Sequence, residues 1–196
     1  MYVLTDVPKD VLEKLDNIIN QQNKGTASDK LAGNLRNEFL IPEGREVLHP
    51  FLMALIDAHN EKYPEIQTKA RSLISRRDNQ FAIFELWVNF QKKYEFNPIH
   101  IHDGIYSFVI WHKVPYTIAN ENAHFPNKKE RDLRAGKFAF FHSGTLGDIR
   151  EEPIPVDKSY EGKIALFPAS LNHCVYPFYT SDDYRVSISG NIGFAV

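Results

Sequence analysis

The sequence predicts an α+β protein that is mainly β: a sandwich or barrel over residues 80–196, with a mainly helical part, residues 1–79, packed against it in a single domain. Three observations carry this. Past about residue 80 the chain breaks into short aromatic and β-branched segments, FAIFELWVNF, YSFVIWHKV, KFAFFHS, KIALFP and YRVSISGNIGF. Turn formers separate them (NPIHIHDG, ANENAHFPNKK, SGTLGD, YTSDD), and short strands at such intervals build sandwiches and barrels. Before residue 80, apolar residues recur at helical spacing instead. The length, 196 residues, fits one domain with a helical extension, and no internal repeat or low-complexity tract divides it.

Taken in order, Val7, Val11, Leu12, Leu15, Ile18 and Ile19 mark a first helix, with Asp6 as its N-cap, Pro8 in its first turn and Gly25 beyond its end. A second helix covers about 45–62, where Val47, Phe51, Leu55 and Ala58 share a face and Pro64 limits the end. Residues 66–77 suit a third, short helix. The five aromatic segments then follow as strands.

Composition removes several classes of function. Aromatic residues make up 13% of the chain, with 14 Phe and 9 Tyr, which suits sheets and pocket walls. The net charge of −2 shows no bias toward nucleic acid or an anionic membrane. A single cysteine, Cys174, cannot close an intrachain disulfide, so a cytoplasmic location is expected. MYVLTDVPKD carries Asp6, Lys9 and Asp10 where a signal peptide needs an apolar core, and no apolar run nears the roughly 20 residues of a spanning helix. The run of Lys128, Lys129, Arg131 and Arg134 is interrupted by Glu130 and Asp132 and reads as a solvated face. No G-x-x-x-x-G-K-[ST], G-x-G-x-x-G or G-x-S-x-G occurs, so no motif supports a nucleotide, dinucleotide or α/β-hydrolase site.

The chemistry concentrates in three places. Asn97–Gly104 reads N-P-I-H-I-H-D-G, and in a strand His100 and His102 point to one face. A metal needs such convergence, since ligands approach to about 2.0–2.2 Å from different directions. His173, after the segment KIALFP, offers a third imidazole. Twelve residues further on, Arg185 and Ser187 share a face of an alternating strand, where a guanidinium and a hydroxyl suit a carboxylate.

Together these residues resemble the 2-oxoglutarate- and iron(II)-dependent oxygenases, in the order H-x-[D/E or H], a distant His, and Arg-x-Ser. W-V-N at 87–89, the stretch at 97–110, G-K-I-A-L-F-P-A-S-L-N-H at 162–173 and R-V-S-I-S-G-N at 185–191 resemble a subgroup found in large tailed phages and marine bacteria. The resemblance covers about 80–194; earlier, only L-A-G-N-L-R-N-E at 31–38 adds to it. It implies a double-stranded β-helix (jelly roll), Fe(II) as the metal and 2-oxoglutarate as cosubstrate. It also implies His100 and His173 as iron ligands, Arg185 with Ser187 on the distal carboxylate, and a hydroxylase of unstated substrate, in the host cytoplasm if phage-encoded. On the preceding strand, Asn89 and Tyr94 are candidates to reach the cosubstrate.

One position departs from the wider pattern, which has a carboxylate two residues after the first His. Three arrangements are open: a three-His set of His100, His102 and His173; Asp103 as carboxylate ligand, which needs a bulge; or a motif starting at His102, with no side chain at Gly104. The first keeps the strand regular and is favoured. A three-His set also suits zinc. Trp87 and Trp111 read as core or pocket wall, His142 as either inward or exposed, and His49, His59 and His124 as surface or packing residues. His112 faces away from Trp111, and Cys174 is expected to be buried. The alternative is a non-catalytic, cupin-like or jelly-roll module that binds metal or serves a structural role. The helical third could shape a pocket or form a homodimer interface, and the residues do not choose between these.

Overall fold

A computed structural model describes residues 1–21, 37–66, 80–129 and 133–195. Beyond Ile66 the expected third helix lies outside the described residues, as do most of the 31–38 stretch and the middle of the basic run. In chain order the elements are β1 (Val3–Asp6), α1 (Lys9–Gln21), β2 (Glu38–Leu40), α2 (Gly44–Lys62), β3 (Phe81–Gln91), β4 (Asn97–His100) and β5 (Tyr106–Lys113). After these come α3 (Ile118–Ala123), β6 (Phe138–Ser143), β7 (Ile149–Ile154), β8 (Lys163–Pro168), β9 (Asn172–Val175) and β10 (Arg185–Phe194). The fold is mainly β, with antiparallel strands in two sheets of order β1-β8-β5-β10-β3-β2 and β4-β9-β6-β7.

Period-two alternation divides the larger sheet into two chemically different faces. Leu86 and Val88 of β3, Phe108 and Ile110 of β5, Ile164 and Leu166 of β8, and Val186 and Ile188 of β10 are buried in one cluster. Val11 and Leu15 of α1 and Leu48, Leu52, Leu55 and Ile56 of α2 join that cluster, so both helices cover this face. The intervening residues turn the other way. Val109, Trp111, Ala165 and Phe167 meet Phe138 and Phe140 of β6 and Ile154 of β7 in a second buried cluster between the sheets.

Two details differ from the sequence reading. The N-terminal part is not purely helical: β1 extends the large sheet beside β8 and β2 extends it beside β3. The buried face of α2 is Leu48, Leu52, Leu55, Ile56 and His59, about one residue round from the expected stripe. Val47 and Phe51 pack at the margin of the same cluster, while Ala58 is exposed. His59 is fully buried, its Nε2 3.2 Å from the Met1 carbonyl and its ring 5.3 Å from that of Tyr106. His112 meets Asp16 of α1 at 3.1 Å, away from Trp111.

Candidate metal centre and its cavity

The two key histidines face each other because of strand pairing. His100 at the end of β4 is the register partner of His173 in β9, so their side chains share one face of the small sheet. Their ring centroids lie 4.3 Å apart. His102 arrives by another route than a regular strand. The β4–β9 register shifts between Asn97 and His100, and β4 ends at His100. The His102 backbone N–H instead donates to the Ala169 carbonyl at 2.9 Å. This brings its ring to 4.9 Å from His100 and 5.0 Å from His173, with Trp87 at 5.7 Å on another side. Gly104 then turns the chain at φ +97; a Cβ there would sit 2.8 Å from the Ile192 carbonyl.

The protonation of these rings follows from what touches them. His100 Nδ1 lies 2.7 Å from the Pro98 carbonyl and His173 Nδ1 lies 2.9 Å from the Leu171 carbonyl. A carbonyl only accepts, so each Nδ1 carries the hydrogen and each Nε2 keeps its lone pair. Burial pushes the His173 pKa down to about 3, with His100 adding to the effect, and pushes that of His102 down to about 4. Burial also lowers His100. All three are therefore neutral near pH 7, the state a metal requires.

One ligand atom from each of the three lies within 4.8 Å of the others. Two ligands on one ion can be at most about 4.2 Å apart, twice the bond length, so small side-chain rotations suffice to close the set. Among the described residues no acid joins this group, and Asp103 lines the adjoining cavity without being part of it. The donor set thus fits a three-His centre and offers no carboxylate.

The cavity above the histidines holds about 250 Å³ and lies between the two sheets. Its walls include Trp87, Asn89 and Gln91 of β3, Ser187, Ser189 and Asn191 of β10, Val109, Phe138 and Phe167, together with Glu38, Glu85 and Asn97. Asn89 Nδ2 donates to Ser187 Oγ at 3.3 Å and to Ser189 Oγ at 3.5 Å. Ser107 donates to Asn191 Oδ1 at 2.8 Å, and Asn191 Nδ2 donates to Glu85 at 2.7 Å.

Arg185 stands behind this wall, only 3% exposed. Nε and Nη2 both donate to Gln91 Oε1, at 3.1 and 2.5 Å. Nη1 donates to the Tyr116 hydroxyl at 2.6 Å and the Gly136 carbonyl at 3.1 Å, and Nη2 also donates to the Tyr176 carbonyl at 3.1 Å. These contacts match the five N–H donors of a guanidinium in number, and every acceptor is neutral. The rings of Tyr116 and Phe178 lie 5.9 and 5.6 Å from its central carbon. Glu121 of α3 pins the neighbouring loop by accepting from Tyr179 N–H and Thr180 N–H at 2.8 and 2.9 Å.

Of the residues singled out in the sequence, the structure brings His100, His102, His173, Asn89, Ser187 and Asp103 to one cavity. Arg185 reaches it through Gln91. Tyr94 does not reach it: it sits in a turn at φ +71, 59% exposed, with its ring 5.6 Å from Tyr179. His142 does not line it either, and Cys174 is buried, its thiol pushed up to about 11 by burial. Gln91, Glu38, Glu85 and Asn97 escaped the sequence reading. The period of two from Trp87 through Asn89 was the available signal for Gln91.

Two sheets enclose a polar cavity lined by three neutral imidazoles, a donor set that fits an ion. A family model described as "Putative 2OG-Fe(II) oxygenase" matches residues 85–191, more than half the chain, and the chain belongs to that family. Among solved structures it is similar to a Pseudomonas putida prolyl-4-hydroxylase, at 14% identity and a TM-score of 0.55 over 100% of this chain and 93% of that one. It is also similar to an oxidoreductase of the 2OG-Fe(II) oxygenase family from Burkholderia pseudomallei, at 12% identity and a TM-score of 0.53 over 98% and 84% of the two chains. At these identities the likeness is one of fold. No curated protein matches the sequence. Among the described residues no helix is long and apolar enough to cross a membrane.

Proposed function

We propose that the protein is an Fe(II)- and 2-oxoglutarate-dependent dioxygenase, a hydroxylase built on a double-stranded β-helix. The observation that carries the reading is the convergence of three neutral imidazoles on one cavity, in a chain of an oxygenase family. His100, His102 and His173 would hold the metal. Bound there, Fe(II) would supply oxygen activation coupled to oxidative decarboxylation of 2-oxoglutarate.

The remaining tasks fall to the chain itself. The Pro98 and Leu171 carbonyls fix the tautomers and ring directions of His100 and His173. Three neutral imidazole ligands would leave the ion's charge undiminished, which would favour an anionic cosubstrate. Arg185 and Ser187 would hold the distal carboxylate. A buried guanidinium with only neutral acceptors is a charge that an anion stabilises. The Nε–Nη2 fork that suits a carboxylate faces Gln91 Oε1, so a cosubstrate carboxylate would replace that acceptor. Asn89, which lines the cavity beside Ser187, would contact the cosubstrate, and Phe138, Phe167 and Val109 would exclude water.

One observation favours the second reading, a non-catalytic module that binds zinc or another metal: Arg185 already has an internal acceptor for each N–H. A single experiment separates the two. The full chain is loaded anaerobically with Fe(II), then given 2-oxoglutarate and oxygen, and succinate is measured. The oxygenase reading predicts succinate formation, and an Arg185→Ala variant that keeps its Fe(II) and loses 2-oxoglutarate binding. Metal binding without any 2-oxoglutarate binding by the unaltered chain would overturn it in favour of the module.

A further inference from the structure

Among the described residues, three carboxyl-bearing side chains line the cavity, those of Glu38, Glu85 and Asp103, and no lysine or arginine does. Acidic side chains alone would mean little, but one of them is buried without a partner. Glu38 is 2% exposed, and its Oε2 accepts no hydrogen bond. It faces the cavity from β2, at the register position opposite Asn89. Two more cavity oxygens share this condition: Asn89 Oδ1, in a side chain 6% exposed, and Asn97 Oδ1. An unmade hydrogen bond at a buried acceptor costs about 1–3 kcal/mol, so such groups persist where a ligand completes them. An amide can rotate to offer N–H, but an ionised carboxylate can only accept. With Glu38 ionised, the unfilled acceptors on this wall suit a donor.

Resting on the oxygenase reading, we propose that the primary substrate is an organic cation bearing ammonium or guanidinium groups at two separate points, one reaching Glu38 and the other Glu85, in the cavity beside the three histidines. Arg185, behind Gln91, suits the anionic cosubstrate, and the carboxylates of Glu38 and Glu85 suit a cation. Glu85 is preset for this role, because Asn191 holds one carboxylate oxygen and Ser107 in turn holds Asn191. Burial and the nearby Glu95 keep Glu38 near pKa 7 in the free protein. A cation beside it draws it into the ionised form, giving a charge-assisted bond inside a largely dry wall.

The test uses the full chain loaded with Fe(II) under anaerobic conditions, with and without 2-oxoglutarate. Cadaverine and agmatine are titrated calorimetrically against pentan-1-ol and pentanoate, which match cadaverine in chain length without its charge. The expected result is saturable binding of at least one cation, at least tenfold tighter than either control. Glu38→Gln and Glu85→Gln should each weaken it at least fivefold, and with oxygen admitted the bound cation should speed succinate formation. Controls that bind as well as the cations, no saturable cation binding, or affinities indifferent to both substitutions would overturn the proposal. The selectivity of the unaltered chain stands as a test even if a variant folds poorly. 2-Oxoglutarate binding in the same preparation keeps the two readings apart: a chain that binds cosubstrate and ignores cations loses only this inference.

Discussion

The two faces of the larger sheet come from the same six strands and differ sharply in chemistry. Toward the helices, β5, β8 and β10 present Phe108, Ile110, Ile164, Leu166, Val186 and Ile188, all in one buried apolar cluster. Toward the cavity, β3 and β10 present Asn89, Gln91, Ser187, Ser189 and Asn191, with Arg185 behind them. One face gains its free energy by removing apolar surface from water, and the other keeps buried polar groups in fixed places, some without partners. The lesson is that alternation lets a thin sheet separate stability from chemistry residue by residue. Arg185 and Val186 are neighbours in sequence and turn to opposite faces of the sheet.

The sharpest way to break this comparison is to cut a large side chain on the helix-facing side. Leu166 is fully buried, and Leu166→Ala is expected to cost about 2–5 kcal/mol of stability. Urea unfolding measures it, and the metal content of the folded fraction should be unchanged. If Leu166→Ala were no more damaging than Ser187→Ala, the division of labour would be wrong.

A smaller effect sharpens the cavity side. Burial holds the Glu38 pKa at about 7, above its ordinary 4.5, so between those values the folded chain binds more protons than the unfolded chain. Stability from this group is present below about pH 4.5 and is lost as pH rises through 7. In the metal-free protein, Glu38→Gln should leave unfolding unchanged at pH 4.5 and raise stability by on the order of 2–3 kcal/mol at pH 8. Thermal melts at the two pH values measure the difference. A Glu38→Gln gain equal at both would mean the carboxyl is solvated.

The parts of the fold that were readable follow from how strongly each segment is patterned. β3, β5, β6, β8 and β10 are long or strongly apolar and stand out as aromatic, β-branched runs. β1, β2, β4 and β9 span four residues or fewer, too short for alternation to declare itself, and β7 reads I-R-E-E-P-I because it is an exposed edge strand. The α2 face was misjudged by about one residue because apolar residues lie on both sides of its buried stripe. At the site, His100 and His173 were singled out by the H-x-H spacing and by the resemblance of the segments around them, not by strand reading, since β4 and β9, which pair them, are two of those short strands. Gln91 and Glu38 were not, since their place depends on Arg185 packing behind β3 and on a three-residue strand docking beside it. Tyr94 was over-read because the chain leaves β3 after Gln91 and turns through a left-handed residue, which no strand periodicity foretells.

The most direct test of the central claim is a Fe(II) titration of the metal-free chain and of His173→Ala under anaerobic conditions, followed by calorimetry. Convergent neutral imidazoles predict one Fe(II) per chain for the unaltered protein and loss of that binding in the variant, with folding retained by circular dichroism. A chain that binds no Fe(II), or a variant that binds it as tightly as the unaltered protein, would contradict the account.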